Sequence, residues 1–200
     1  MAKASWINVS PSSGSGNATV NVSSNTTHTG RVLRTTVLTW KSANVADVQR
    51  TVNQAGKPEF VDIADAASAD KGGKVVTISG VSNSKKLTFS LGAGNLNISL
   101  PSSYVANSVN TQNGANISGD PGAIAEFPFS IAINVPANPS TSALSRQIIV
   151  TDEGGNQDVC ELTSAAGDAY ITVQEGIIEL DYLGTPVTVS VQSNTNWTIE

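Results

Sequence analysis

The sequence predicts an all-β protein built from tandem immunoglobulin-like β-sandwiches, with one sandwich split between the N- and C-termini. Three observations predict it. Val, Ile and Thr alternate with small polar residues in segment after segment, which is the period of a half-buried strand. Clusters of Gly, Pro, Asn and Ser separate those segments. Parts of the chain also recur, in order, at a nearly constant offset.

Taken in order, Trp6 to Ser10 leads into the turn Pro11-Ser12-Ser13-Gly14, and Thr19-Val20-Asn21-Val22-Ser23 alternates as a strand. Ile63 to Asp70 has a weak helical flavour but is too short and too poorly capped for a helix, so residues 64–73 read as a linker closed by Gly72-Gly73. Val75 to Ser79, Phe129 to Val135 and Val187 to Val191 alternate again, with Gly119-Asp120-Pro121-Gly122 and Gly154-Gly155-Asn156 as turns between them. Many short strands with no sustained helical pattern indicate antiparallel sandwiches of about 100 residues each.

The repeat sets the domain boundaries. Asp47 to Gly56 aligns with Asp158 to Gly167, an offset of 111 (158 − 47), and Val76-Thr77-Ile78-Ser79 with Ser82-Asn83 aligns at that offset with Val187-Thr188-Val189-Ser190 and Ser193-Asn194. Asn21-Val22 and Asn25 match Asn134-Val135 and Asn138 at 113 (134 − 21). Residues 1–63 plus 177–200 therefore read as one split sandwich, 64–73 as a linker and 74–173 as a second sandwich. Joined across the termini, Trp197-Thr198-Ile199-Glu200 and Trp6-Ile7-Asn8-Val9 form one continuous motif, so Trp6, Val9, Trp197 and Ile199 are the expected core of the split domain. From Pro11 to Asn21 is ten residues and from Pro101 to Asn134 is thirty-three, so the second sandwich carries an excursion around 102–126. Long loops are often functional. Tyr104, Asn107, Asn110, Gln112, Asn113 and Asn116 make this one a candidate contact loop, with Tyr104 as its anchor.

Composition narrows the chemistry. The net charge is −5, with eleven Lys and Arg scattered along the chain, which argues against nucleic acid as a partner. No apolar run has the length of a membrane span, and Trp6 lies too near the start to leave room for a signal peptide, so the expected place of synthesis is the cytoplasm. The lone Cys160 sits at an alternating strand position, as a small buried apolar residue, and no disulfide framework exists. His28 is the single histidine and reads as a solvated turn residue. Asp62, Asp65 and Asp70 lack calcium-loop spacing, and Gly14-Ser15-Gly16 lacks the lysine of a phosphate cradle. Asp152-Glu153 and the set Glu175, Glu179 and Asp181 read as solvated charge rather than a glycosidase pair. No catalytic residue, metal or cofactor is expected.

Trp197, followed across the junction by Trp6-Ile7-Asn8-Val9-Ser10-Pro11-Ser12-Ser13-Gly14-Ser15-Gly16-Asn17, then Val20-Asn21-Val22, Asn25, Arg31 or Arg34 before a strand, and Val52-Asn53-Gln54-Ala55-Gly56, resembles the BACON domain. That family comprises immunoglobulin-like modules associated with Bacteroidetes carbohydrate-active enzymes, and such modules also occur in virion proteins of crAss-like tailed phages. The resemblance implies no catalytic residue. It leaves two functions. One is a virion structural protein, an auxiliary or decoration protein on the capsid exterior, made in the host cytoplasm and contacting the major capsid protein, other virion proteins or its own copies. The other is a carbohydrate-binding module for mucin or polysaccharide on a bacterial surface or in secretion. Whether the half-domains meet within one chain or between chains stays open.

Overall fold

The computed structural model describes residues 3–174 and 176–200, and it is all-β. Fifteen strands follow in chain order: β1 (Ile7–Ser10), β2 (Asn21–Ser24), β3 (Arg34–Ser42), β4 (Val45–Gln54), β5 (Val61–Ile63), β6 (Ala66–Ala69), β7 (Lys74–Ser82), β8 (Leu87–Gly94), β9 (Ser103–Ala106), β10 (Val109–Gln112), β11 (Phe127–Val135), β12 (Leu144–Asp152), β13 (Gln157–Ser164), β14 (Ile171–Val173) and β15 (Val191–Ser193).

The middle of the chain is a complete two-layer sandwich. One sheet has the order β10-β9-β11-β7-β5 and the other β6-β13-β12-β8. The alternation read from sequence is what fills it: Phe127, Phe129, Ile131, Ile133 and Val135 of β11 all point inward. They meet Leu87 and Phe89 of β8, Ile148 and Val150 of β12, and Cys160 and Leu162 of β13 in one cluster. Each such side chain contributes roughly 1.5–3 kcal/mol on leaving water. Phe89 packs its ring against Tyr104 at 5.0 Å and against Phe129 at 5.9 Å between centroids.

Three segments differ from the sequence reading, one of them Val187 to Val191, of which only Val191 belongs to a strand, β15. Residues 64–73 are not a linker, because Ala66–Ala69 forms β6, a parallel edge strand beside β13, and Ala69 is buried. Its Ala and Ser side chains are small enough to close the sandwich edge without showing an apolar stripe, so the local pattern conceals the strand. The sandwich therefore begins with β5, which pairs with β7, rather than at residue 74. The 102–126 excursion is not an irregular loop either. It contains the β9–β10 hairpin, turned at Asn107 and Ser108 with φ of 47° and 65°, the left-handed pair of a tight hairpin turn. β9 also pairs with β11, so the hairpin widens the sheet.

On either side of this sandwich lie smaller sheets. β1 pairs with β2, and β3 with β4 over nearly their whole length. β14 pairs with β15. The β7–β11 ladder spans nine residue pairs, from Lys74↔Val135 to Ser82↔Phe127, or about 30 Å at the usual strand rise.

Candidate functional site

The N-terminal strands dock at the Ser82–Phe127 end of that ladder. Arg31 donates through its backbone N–H to the carbonyl of Gly122 at 2.9 Å, and Val32 to that of Ala123 at 3.0 Å. The Arg31 guanidinium makes a two-pronged ion pair with the Asp120 carboxylate and also donates to the Asn83 carbonyl at 3.0 Å. That hydrogen bond holds the Asp120 carboxyl below its usual range and raises the guanidinium in return. The backbones of the two units come so close that a Cβ on Gly30 would lie 2.3 Å from the Ile124 carbonyl carbon, an approach that glycine permits.

Asn83, fully buried, is the node of this joint. Its Oδ1 accepts from the Phe60 N–H, and its Nδ2 donates to the carbonyls of Thr29, Lys57 and Pro58. Ser82 Oγ donates to the Phe60 carbonyl and accepts from the Ser84 N–H.

At the opposite end the same joint is built again. Asn194 Oδ1 accepts from the Tyr170 N–H, and its Nδ2 donates to the carbonyls of Pro139 and Asp168, each at 2.9 Å. Ser193 Oγ donates to the Tyr170 carbonyl and accepts from the Thr195 N–H. β14 stands to β15 as β5 stands to β7, since Ile171↔Ser193 repeats Val61↔Ser82. The C-terminal residues thus repeat the pairing with which the central sandwich opens.

Neither small unit fills its own interior. Trp40, Val45 and Val48 of the N-terminal sheets are exposed, and a cleft of about 630 Å³ opens between the Pro11–Gly16 turn and β3, lined by Val9, Val20, Val37 and Trp40. In the C-terminal segment Ile177, Leu180 and Leu183 are exposed. Unpaired strand edges beside apolar side chains are templates for another strand.

The expected core of the split domain is not assembled within one chain. Val9 is half-buried opposite Val22, and Trp6 is half-buried beneath the Arg34 guanidinium, 4.5 Å from its ring. Trp197 is 48% exposed and Ile199 85% exposed, and no ladder joins 177–200 to β1–β4 among the described residues. The length of the central sandwich accounts for this, because the two units dock at its opposite ends.

The candidate contact loop is divided in the same way. Tyr104 is buried in the sandwich core, and Asn113 clamps Phe89 by accepting from its N–H and donating to its carbonyl. Asn107, Asn110, Gln112 and Asn116 are exposed on or beside the hairpin. Sequence reasoning missed Arg31–Asp120, whose partners are 89 positions apart, whereas the Asn83 and Asn194 nodes were visible as a repeated Ser-Asn pair. His28 is buried rather than solvated, its Nε2 lying 2.6 Å from the Val32 carbonyl oxygen. Asp152 is buried too, where it accepts from the backbone and side chain of Asn156. Of the acidic set, Glu175 lies outside the described residues, while Glu179 and Asp181 are exposed. Among the described residues no cluster of three or more His, Cys, Asp and Glu could hold a metal, and no helix is long and apolar enough to cross a membrane.

No family model matches the chain, and no curated protein matches it. Among solved structures it is similar to one described as the NMR structure of a protein from Bacteroides thetaiotaomicron, over 56% of this chain and 89% of that one, at 14% identity and a TM-score of 0.27. A likeness at that score carries no argument.

Proposed function

We propose that this chain is a non-enzymatic structural protein of a tailed-phage virion, an auxiliary protein decorating the capsid exterior. In this reading its modules are immunoglobulin-like sandwiches of the BACON type. They assemble through β-sandwich contacts with the major capsid protein, other virion proteins or further copies of the chain. The observation that carries the reading is the pair of unfilled units at opposite ends of one complete sandwich, since exposed edges and apolar interiors are what an assembling module presents. Mass spectrometry of purified particles tests it and is expected to find the protein in many copies per virion.

A second reading, a carbohydrate-binding module for mucin or polysaccharide, draws on the exposed aromatic rings of Trp40, Tyr170 and Tyr182, which could stack on sugars. Retention on a mucin or polysaccharide matrix, together with absence from virions, would favour it over the first.

A further inference from the structure

We infer that the C-terminal segment of one copy completes the N-terminal unit of the next, so that the chain assembles head to tail into a row of full sandwiches joined by identical joints. The inference rests on the assembly reading above and names the partner as a second copy of this chain.

Topology identifies the vacancy. β2 corresponds to β11, and β3 and β4 to β12 and β13, by the repeat offsets. In the complete sandwich β11 is flanked by β7, β12 by β8 and β13 by β6. β2 has only β1 beside it, and β3 and β4 have only each other, so each of the three keeps one unpaired edge among the described residues. The C-terminal segment carries the missing counterparts: β14 and β15 repeat β5 and β7, and the residues after Asn194 repeat the entry into β8. With one residue fewer after the asparagine, Trp197 and Ile199 occupy the alternating places of Leu87 and Phe89. Those two are buried in the complete sandwich, whereas Trp197 and Ile199 are exposed here.

Charge points the same way. Residues 3–57 hold six basic side chains and one acidic, a balance of +5 (6 − 1), with Arg31 and Lys57 paired to Asp120 and Glu126 of the sandwich, while residues 167–200 hold five acidic and no basic, a balance of −5, with Asp168 paired to Lys71. Opposite fields steer the two surfaces together and discourage either from pairing with itself. Closure inside one molecule is blocked by the roughly 30 Å of sandwich between them, so the copy that supplies the segment is a neighbour.

The register follows from the complete sandwich. Ile133 stands opposite Val76 in the β11–β7 ladder, and their counterparts are Val20 (133 − 113) and Val187 (76 + 111). Val20 lines the N-terminal cleft, and Val187 lies in the C-terminal segment. Directly opposed residues of an antiparallel ladder bring their Cα atoms to about 4.5–5.5 Å, within disulfide reach.

The test mixes full-length V20C with V187C under mild oxidation, with each variant alone and the double variant alongside. Both sites lie on the open units, so neither substitution disturbs the central core. A reducible dimer in the mixture but in neither single variant, and a reducible ladder from the double variant, are the expected results. No cross-link on mixing would overturn the inference, as would a disulfide closed within a single molecule of the double variant. Virions that contain the protein but give no cross-link would sink the exchange and leave the proposed function standing. A cross-linked ladder from a protein absent from virions would do the reverse.

Discussion

Asn83 and Asn194 make corresponding hydrogen bonds at opposite ends of one sandwich, Asn83 to three carbonyls and Asn194 to two. Each accepts a backbone N–H through Oδ1, from Phe60 or Tyr170, and each ties carbonyls of the preceding module through Nδ2, with Lys57 and Asp168 in equivalent places. At Asn83, which is fully buried, an amide satisfied on both sides fixes the angle between modules, because tilting either one leaves polar groups unpaired in a dry joint; Asn194 makes its joint partly exposed. Two copies of such a joint in one chain define a repeating unit.

Replacing Asn83 by Ala should therefore cost about 2–4 kcal/mol, the penalty for stranding several buried backbone groups. Urea denaturation followed by tryptophan fluorescence would read it, since all three tryptophans, Trp6, Trp40 and Trp197, lie outside the central sandwich. Asn194→Ala, on a partly exposed node, should cost less in dilute protein.

The Arg31–Asp120 pair makes docking of the N-terminal unit sensitive to acid. Asp120 is held below its usual range in the folded chain, so the stability it contributes is present above the unfolded carboxylate value of about 4 and fades as pH falls through the lower folded value. Half-exposure keeps the effect modest. Stability measured against pH should fall more steeply below about pH 4 for the native chain than for D120N, which carries no ionisable group there.

Tyr104→Ala should destabilise the central sandwich by about 3–5 kcal/mol, the range for removing a large buried side chain. Asn110→Ala or Gln112→Ala, on the exposed face of the hairpin, should change stability by less than about 0.5 kcal/mol. Thermal melts of the three variants would separate the structural from the surface positions.

Cys160 is fully buried, and burial, reinforced by nearby acidic groups, pushes its thiol up to about 11. A thiol reagent at pH near 8 should leave the native protein unmodified and label one thiol per chain in denaturant.

The central strands and the repeat were legible because both rest on local pattern: alternation marks β7 and β11, and the Ser-Asn pairs mark the joints, whereas Val187 to Ser190 alternate in the same way and yet lie outside any strand, with only Val191 entering β15. β6 was hidden because Ala66–Ala69 earns its place through a parallel edge contact rather than through an apolar face. The β9–β10 hairpin was hidden by its turn, Asn107-Ser108, which lacks the glycine that usually announces one. Even so, the inward alternation of Tyr104, Ala106 and Thr111 was present to be read. The failure of the termini to meet was not legible at all. Sequence joins Trp197 to Trp6 by motif, and only the length of the sandwich between them shows that one chain cannot do so.

In the proposed assembly the N- and C-terminal units are open in a lone chain and filled by a neighbour. Amide hydrogen exchange of the full chain, dilute and concentrated, tests it most directly. Residues 16–24 and 185–199 should exchange quickly when dilute and become protected together as concentration rises, while β11 stays protected throughout. Protection of both segments that is independent of concentration, or exchange that stays fast in concentrated protein of proven assembly, would contradict the account.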